Sequence, residues 1–171
     1  MNEGDVKPYT EFILPPSVVS KIDLSRMVNE AERIDNALTA SAVHEKIGNE
    51  GSEKPVFSEQ FTSFLEINQL NFEDTAKRSN LITQLRLLKD KVPIVHMTFS
   101  VPADLESIQQ IVKWVRDSTH PQAVILVGLQ PALVAGVYLR TPNHILDLSL
   151  RAKLAASHDV LVKELEAVRG K

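Results

Sequence analysis

The apolar residues of this chain change their spacing at Pro93, and this change constrains the fold more than any other feature. Before Pro93 they recur every three or four residues, which is the period of an amphipathic helix. Directly after it, "IVHMTFS" alternates, with Val95, Met97 and Phe99 on one face, which is the period of a strand. The sequence therefore predicts an α+β fold. An N-terminal helical domain is followed by a small two-layer α/β domain that ends in a long helix.

The same pattern predicts the domain boundaries. Residues 1–16 are mostly polar and end at "LPP", which predicts a flexible N-terminus. Residues 17–91 are predicted to form the helical domain and residues 92–171 the α/β domain. Residues 1–90 contain 10 Lys/Arg and 15 Asp/Glu, a net charge of −5, whereas residues 91–171 contain 9 and 7, a net charge of +2. This asymmetry indicates that the two parts have different neighbours.

The helical domain is predicted to contain three or four helices. The first has Asp23 or Ser25 as its cap, and its inward positions are Leu24, Met27, Val28, Ala31, Ile34 and Leu38. Residues 48–56, "GNEGSEKPV", predict a loop. One face of a short helix then follows at Phe57, Phe61, Phe64 and Leu65. A longer helix is expected from about Phe72 to Lys89, with Asn71 as its cap.

The α/β domain is predicted to run strand, helix, three strands, helix. Its first helix, "PADLESIQQIVKWVRDS", has Trp114 as a half-buried packing residue and an inner face formed by Leu105, Ile108, Ile111, Val112 and Val115. The run "AVILVGL", residues 123–129, is typical of a strand covered on both faces. "AGVYLR" and "HILDL" predict two more strands, joined by a turn at "TPN". The last helix is expected over residues 149–168, with an apolar stripe at Leu150, Leu154, Leu161, Leu165 and Val168.

The composition excludes several kinds of chemistry. The chain has no cysteine, which excludes disulfides, thiolate catalysis and cysteine-based zinc sites. Its net charge of −3 argues against nucleic-acid binding through phosphate neutralisation. The six glycines form no phosphate-binding loop, and no metal-ligand spacing joins the histidines His44, His96, His120, His144 and His158. We therefore expect no cofactor, no metal and no catalytic residue.

The sequence also predicts a protein without a membrane span. Its most apolar stretch, residues 123–139, is shorter than the roughly 20 residues that a spanning helix needs, and Gln130 and Pro131 interrupt it. The N-terminus has no apolar core and no basic lead, so we expect no secretory signal. Together with the absence of cysteine, this pattern favours a reduced intracellular compartment.

Residues 144–154, "HILDLSLRAKL", concentrate polar side chains in an otherwise apolar stretch. Three interpretations arise: a catalytic cluster, a phosphate site, or a corner where a strand ends and a helix begins. In the third, Asp147 or Ser149 caps the helix, and Arg151 pairs with a carboxylate, of which Asp147 is a candidate. Asp147 and Ser149 have no base or metal nearby in the sequence, so the structural corner is the favoured interpretation.

Residues 129–154, "LQPALVAGVYLRTPNHILDLSLRAKL", resemble the C-terminal signature of the delta-subunit family of F-type ATP synthases, which includes the oligomycin-sensitivity-conferring protein. The positions that match the family pattern are Pro131, Leu133, Gly136, Asp147, Ser149, Leu150, Arg151 and Leu154. The departures are Gln130 in place of Asp, Ala135 in place of the first glycine of a pair, and Leu148 in place of the glycine between Asp and Ser. With leucine at position 148, the corner cannot rely on a positive φ there. The resemblance covers about residues 93–168.

The resemblance implies a stator subunit in the peripheral stalk, which links the catalytic head of a proton-translocating F-type ATP synthase to the membrane sector. Such a subunit is structural and catalyses nothing itself. The helical half would dock the N-terminal helix of the α subunit. The α/β half would bind the C-terminal end of the b subunit, with Leu154, Leu161 and Leu165 as possible contact residues. The protein would then be cytoplasmic and peripheral on the inner face of the cell membrane.

Two other functions remain open on the sequence. In the resembled family the N-terminal part is a six-helix bundle, and this chain predicts at most four helices. The shortened half and the replaced glycines favour a diverged, stand-alone protein-binding or regulatory module with a delta-subunit-like fold. The third possibility is a small hydrolase that uses His96 or His144 with Asp147, since a strand containing His96 and a strand containing His144 could meet in one sheet.

Overall fold

The computed structural model describes residues 6–46, 55–141 and 143–169. It has the predicted α+β class, with helices first and then a four-stranded mixed sheet that two further helices follow. Its helices are α1 (Lys21–Lys46), α2 (Glu59–Asn68), α3 (Thr75–Lys91), α4 (Leu105–Ser118), α5 (Leu150–Ala156) and α6 (His158–Arg169). Its strands are β1 (Ile94–Phe99), β2 (Val124–Leu129), β3 (Val137–Arg140) and β4 (Ile145–Asp147). Most of the predicted loop at 48–56, and Pro142 of the predicted turn, lie outside the described residues.

Close contacts divide the chain into two compact units. The first consists of Met1–Pro93 and Gln109–Val124, and the second of Ile94–Ile108 and Ile125–Lys171. The predicted domain boundaries stay predictions, because compactness alone does not show which segments fold independently.

The core of the first unit is aliphatic and aromatic. Helix α1 packs against α2 and α3, and it buries the predicted positions Leu24, Met27, Val28, Ala31 and Ile34. Phenylalanine rings from neighbouring segments pack edge to face or in stacks, with centroids 5.3 to 6.5 Å apart, and these rings belong to Phe12, Phe57, Phe61, Phe64 and Phe72. Helix α4 contributes Val112 and Val115 to the buried set. Aromatic pairs of this kind add stability beyond the area that they bury.

The starts of α1 and α3 differ from the predicted caps. Ser20 precedes α1, and Asp23 reaches back to accept hydrogen bonds from the Ser20 N–H and hydroxyl at 2.9 Å each. This is the reciprocal pattern of a capping box. Helix α3 begins at Thr75 because Asp74 accepts the N–H groups of Ala76 and Lys77. The predicted cap, Asn71, is wrong, since its side chain accepts the Glu73 N–H within the preceding turn.

Ion pairs join α1 to α3 on one side of the first unit. Arg78 is buried and donates to Asp35 at 2.6 Å, and Arg86 pairs with Glu32 at 2.8 Å. The Arg78 guanidinium also donates to the Glu73 carbonyl at 3.0 Å. Burying an arginine costs far less free energy when several acceptors bind its guanidinium than when it has none. Because one of these acceptors is on α1, Arg78 helps to set where α3 lies along α1.

The sheet has the strand order β2-β1-β3-β4. Strands β1 and β2 are parallel, since Val124 donates to the Pro93 carbonyl and Gln130 to the Phe99 carbonyl. Strand β3 is antiparallel to both β1 and β4, with Met97 opposite Leu139 and Leu139 opposite Leu146. The predicted alternation of β1 is confirmed at Val95 and Met97, which are buried, while His96 is exposed.

Three packing predictions are wrong. Leu105, assigned to the inner face of α4, is 63% exposed, because it is the first residue of the helix and precedes the buried turns. Trp114 is 58% exposed rather than half-buried, since the positions of α4 that reach the core are Val112 and Val115. Strand β2 is not covered along its whole length: it lies at the edge of the sheet and exposes Leu126, Val127 and Leu129.

The last predicted helix is two helices. Helix α5 ends at Ala156, and Ser157 adopts φ −95° and ψ 1°, with its N–H donating to the Lys153 carbonyl. Serine competes with helical hydrogen bonding through its own side chain, which makes it a common residue at helix ends. Helix α6 then begins at His158.

Candidate functional site

The stretch "HILDLSLRAKL" forms the corner between β4 and α5. Strand β4 ends at Asp147, and Ser149 is the N-cap of α5, its hydroxyl accepting the Ala152 N–H at 3.2 Å. Ser149 itself is fully buried. An N-cap hydroxyl satisfies a backbone donor that has no partner inside the helix. The corner therefore begins α5 in the way that the sequence predicts.

The backbone of Gly136 packs closely against this corner, at Leu148 and Ser149. A Cβ on Gly136 would collide with the Leu148 carbonyl oxygen and would lie 3.0 Å from the Ser149 Cα, and Gly136 has φ +94°. On either side of this contact, Leu148 donates to the Val137 carbonyl at 3.0 Å and Leu150 to the Ala135 carbonyl at 2.8 Å. Glycine is required here both by the left-handed backbone and by the close approach. Leu148 has no positive φ, so the corner turns without glycine at that position, as expected.

Asp147 is held by its neighbour rather than by a cation. The hydroxyl and the backbone N–H of Ser149 hold the pKa of the Asp147 carboxyl below its ordinary value, and the charge of Arg151 adds to this effect. The Ser149 N–H lies 2.9 Å from Asp147 Oδ1. Among the described residues no ion pair joins Asp147 to Arg151, so the suggested pair is not formed. Arg151 acts on Asp147 only through space.

A small cleft of about 350 Å³ opens beside the corner. It is lined by Gln130, Leu133, Tyr138, Asp147, Arg151, Ala152 and Ala155. Pro131 starts the short 3-10 turn that buries Leu133, and Val134 follows it with φ 67° and ψ −58°. Of the residues that match the family pattern, Leu133, Gly136, Asp147, Ser149 and Arg151 thus meet at one corner, whereas Leu154 lies exposed on α5.

The strand order separates the two histidines of the hydrolase hypothesis. His96 on β1 lies opposite Arg140 on β3, and β3 stands between β1 and β4. His144 precedes β4, and its N–H donates to the Thr141 hydroxyl at 3.0 Å. The two strands thus belong to one sheet, as expected, but they are not neighbours, because β3 lies between them. In the described part of the chain, no group of three His, Asp or Glu side chains is arranged to hold a metal ion.

An open groove of about 800 Å³ lies along α1 in the first unit. Its apolar lining residues are Ile34 and Ala37 on α1 and Val56 and Phe57 on the segment before α2. Arg26 and Arg33 also line the groove. Among the described residues, Arg33 forms no ion pair. The Glu30 carboxylate accepts hydrogen bonds from the Ser58 N–H and hydroxyl, at 2.6 Å each. The groove thus combines apolar residues with two arginines and one hydrogen-bonded carboxylate.

The two C-terminal helices expose many apolar side chains. Leu150 and Leu154 on α5 and Val160, Leu165 and Val168 on α6 are all exposed, and the two helices contact each other. The side chain of Leu161, the third predicted contact residue, lies outside the described residues. Exposed apolar residues that cluster on one segment commonly mark an interaction surface. No helix in the described ranges is both long and apolar enough to cross a membrane.

The role of Arg116 is not predicted by any pattern in the sequence analysis. Its guanidinium donates to the carbonyls of Leu14, Pro15, Val18 and Ala123, at 3.2 and 3.1 Å for the first two. Burial lowers the pKa of Arg116 to about 10, so the group stays charged at neutral pH. The only pattern that could have indicated this role is a cation in the last turn of α4 just before a buried strand, and that pattern is common to many helices.

Compared with models of known protein families, the chain matches none, and a search of curated proteins finds no match.

Proposed function

We propose that this protein is a stator subunit of a proton-translocating F-type ATP synthase, in the manner of the delta-subunit family, and that it links the catalytic head to the membrane sector without catalysis of its own. One observation carries this proposal: each of the two compact units has its own exposed apolar surface. A protein that joins two partners needs two such surfaces, whereas an enzyme needs one concave site with convergent polar groups.

The groove on α1 suits an amphipathic helix. A helix laid into a groove buries residues at i, i+3, i+4 and i+7 and leaves its flanks at the rim. Ala37, Val56 and Phe57 offer apolar contacts, and Arg33, which forms no ion pair with the described residues, offers a cation to an acidic flank. The proposed occupant is the N-terminal helix of the α subunit.

The exposed face of α5 and α6 is the proposed contact with the C-terminal end of the b subunit. Leu154 and Leu165 are the predicted contact residues whose exposure supports this, with Leu165 69% exposed. The corner at Asp147 and Ser149 sets the start of α5 through its cap. Residues that match the family pattern therefore act on this surface by positioning a helix. The protein would then be peripheral on the inner face of the cell membrane.

Affinity purification of the tagged full-length chain from native membranes tests the proposal. We expect the α and b subunits to co-purify. Ala37→Arg, which places a bulky cation among the apolar residues that line the groove, should lose α and retain b. Leu165→Asp, which places a charge on α6, should lose b and retain α. Each variant is the folding control for the other. Absence of both subunits from the purified material, with normal ATP synthase assembly in a deletion strain, would overturn the proposal.

A second candidate is a stand-alone protein-binding or regulatory module. The observation that favours it is the small helical part: only α1, α2 and α3 precede the sheet in the described ranges, against the six helices of the resembled family. The same purification separates the two candidates. Reproducible recovery of a different partner, lost in one of the two variants, would favour the module.

A further inference from the structure

Residues 9–18, named here the strap, are bound by side chains from four other segments of the first unit. Asn68 donates to the Ile13 carbonyl at 2.9 Å and accepts the Ile13 N–H at 2.8 Å. Gln122 donates to the carbonyls of Tyr9 and Phe12 at 2.6 and 2.8 Å. Gln84 accepts the Tyr9 N–H at 2.9 Å.

Two further side chains complete this set. Gln60 donates to the Ser17 carbonyl at 2.8 Å, and Arg116 donates to the carbonyls of Leu14, Pro15 and Val18. We name the group formed by Gln60, Asn68, Gln84, Arg116 and Gln122 the cradle. Each of these contacts is made to the main chain of the strap.

The side chains of the strap contribute separately. Phe12, Leu14 and Val18 are buried, and the Phe12 ring packs edge to face on Phe64 with centroids 5.4 Å apart. Ile13 points outward and is exposed. Peptide-binding proteins divide recognition in this way: hydrogen bonds to the peptide main chain give affinity, and pockets for selected side chains give specificity.

The strap is joined to α1 by a short link. Helix α1 begins at Lys21, and the linking residues are Val19 and Ser20. No strand of the sheet includes the strap, so its withdrawal breaks no strand pairing. An identical segment brought by another molecule would find the same main-chain partners and the same apolar pockets, which is the condition for exchange of an element between two copies.

We propose that the cradle is a peptide-binding site, and that residues 9–18 of a second copy can occupy it, so that two copies exchange their straps. The ligand is a segment that follows the course of the strap, with a 3-10 turn at Tyr9–Glu11 and a second turn after Pro15, and with apolar side chains at the spacing of Phe12, Leu14 and Val18. This inference does not rest on the stator proposal, because it concerns the free subunit.

The absence of cysteine from the chain makes a direct test possible. Ser17→Cys and Gln60→Cys place single thiols on the strap and on the cradle. The two variants are mixed at high concentration, incubated and treated with a short bismaleimide. We expect a cross-linked dimer of one chain of each kind. The double variant should cross-link within a single chain, which controls for reach, and Ser17→Cys mixed with Thr83→Cys should give little dimer. Monomer alone in the test mixture, with the reach control positive, overturns the proposal.

A labelled peptide of residues 7–20 provides a second measurement by fluorescence anisotropy. Phe12→Ala in the full-length chain weakens its own strap, so the peptide should bind this chain at least tenfold more tightly than wild type. A peptide with Ile13→Lys should bind equally well, and one with Phe12→Ser and Leu14→Ser should not bind. Should the Phe12→Ala chain fail to fold, hydrogen exchange of wild type decides. Exchange of the Tyr9 and Ile13 amides before those of α1 supports exchangeable straps, and exchange only with global unfolding contradicts them.

Discussion

The carbonyl oxygen of Leu148 lies where a side chain on Gly136 would begin. This contact connects the start of β3 to the corner before α5, and it makes Gly136 the residue of this corner that has to be a glycine. The resembled family has a further glycine between Asp and Ser. Here Leu148 occupies that position without a positive φ. The residue without a side chain at this close approach is Gly136, on the segment that contacts the corner.

Gly136→Ala should destabilise the protein by at least about 2 kcal/mol, because a Cβ both collides with the corner and strains a left-handed backbone. The matched control is Gly128→Ala, whose nearest neighbour would be the Thr98 hydroxyl oxygen at 3.3 Å. We expect that control to cost less than about 1 kcal/mol. Urea denaturation followed by circular dichroism measures both. Equal losses would show that the corner tolerates a side chain.

Val134→Gly should stabilise the protein. Val134 is a β-branched residue at φ 67°, where the backbone is strained by about 1–3 kcal/mol. Glycine relieves this strain, but it destabilises the fold by about 0.5–1 kcal/mol because it has more conformational entropy to lose on folding. The side chain is 65% exposed, so little burial is lost. The control is Val101→Gly, at a residue 64% exposed with no positive φ, and it should destabilise by about 0.5–1 kcal/mol. The prediction fails if both changes have the same sign in thermal denaturation.

Ser149→Ala should cost about 1 kcal/mol, because the Ala152 N–H then loses its acceptor at the start of α5. Ser25→Ala serves as its control. The Ser25 hydroxyl donates to the Lys21 carbonyl on an exposed face, so its loss should lie within about 0.5 kcal/mol. Amide hydrogen exchange across α5 would locate the effect. Unchanged exchange in α5 would contradict a capping role.

Asp147 and Asp104 should make stability depend on pH in the acidic range. The Ser107 N–H and hydroxyl lower the pKa of Asp104, as the hydroxyl and N–H of Ser149 lower that of Asp147. The carboxyl of an unfolded aspartate has a pKa of about 3.9. Because the folded pKa is lower, each carboxylate stabilises the fold above that value, and the contribution is lost as pH falls through the folded pKa.

Asp104→Asn and Asp147→Asn should therefore differ from wild type most at neutral pH, and the difference should shrink below about pH 4. Urea midpoints measured from pH 7 down to pH 3 give the profile. Val134→Gly carries no titrating group, so its effect should stay constant with pH. A constant difference for the aspartate variants would mean that their carboxylates contribute nothing through charge.

Arg116→Met should cost about 2–4 kcal/mol, because the carbonyls of Leu14, Pro15, Val18 and Ala123 lose their common donor. Arg116→Lys should recover only part of this, since an ammonium cannot reproduce the planar fork of a guanidinium. Arg26→Met, at a side chain 74% exposed, should change stability by less than about 0.5 kcal/mol. Trp114 fluorescence during urea denaturation reports on the same unit. A full rescue by lysine would argue against the guanidinium geometry.

The fold class could be predicted from sequence because the apolar period is a local property. Helical spacing from Leu24 to Ile34 and alternation from Val95 to Met97 each bury one side of one element, whatever that element packs against. The exact ends of the elements could not be predicted in this way. Asn71 and Asp74 are both good cap residues, and only the competing bond from the Glu73 N–H decides between them.

The candidate corner could be predicted for the same local reason, since Ser149 bonds to Ala152 only three residues away. The exposure of β2 could not. Leu126, Val127 and Leu129 are exposed, and whether an apolar strand is covered on both faces depends on which distant segments pack against it.

By itself, the sequence determined the helical and strand periods, the capped corner and the chemistry that a chain without cysteine lacks. The tertiary structure alone decided which carbonyls Arg116 binds about a hundred residues away, which glycine the corner requires, and how residues 9–18 are bound. These features depend on groups that meet only after folding. A side chain that donates to a distant main-chain carbonyl can lie at any separation from it in sequence, so no local pattern indicates the contact.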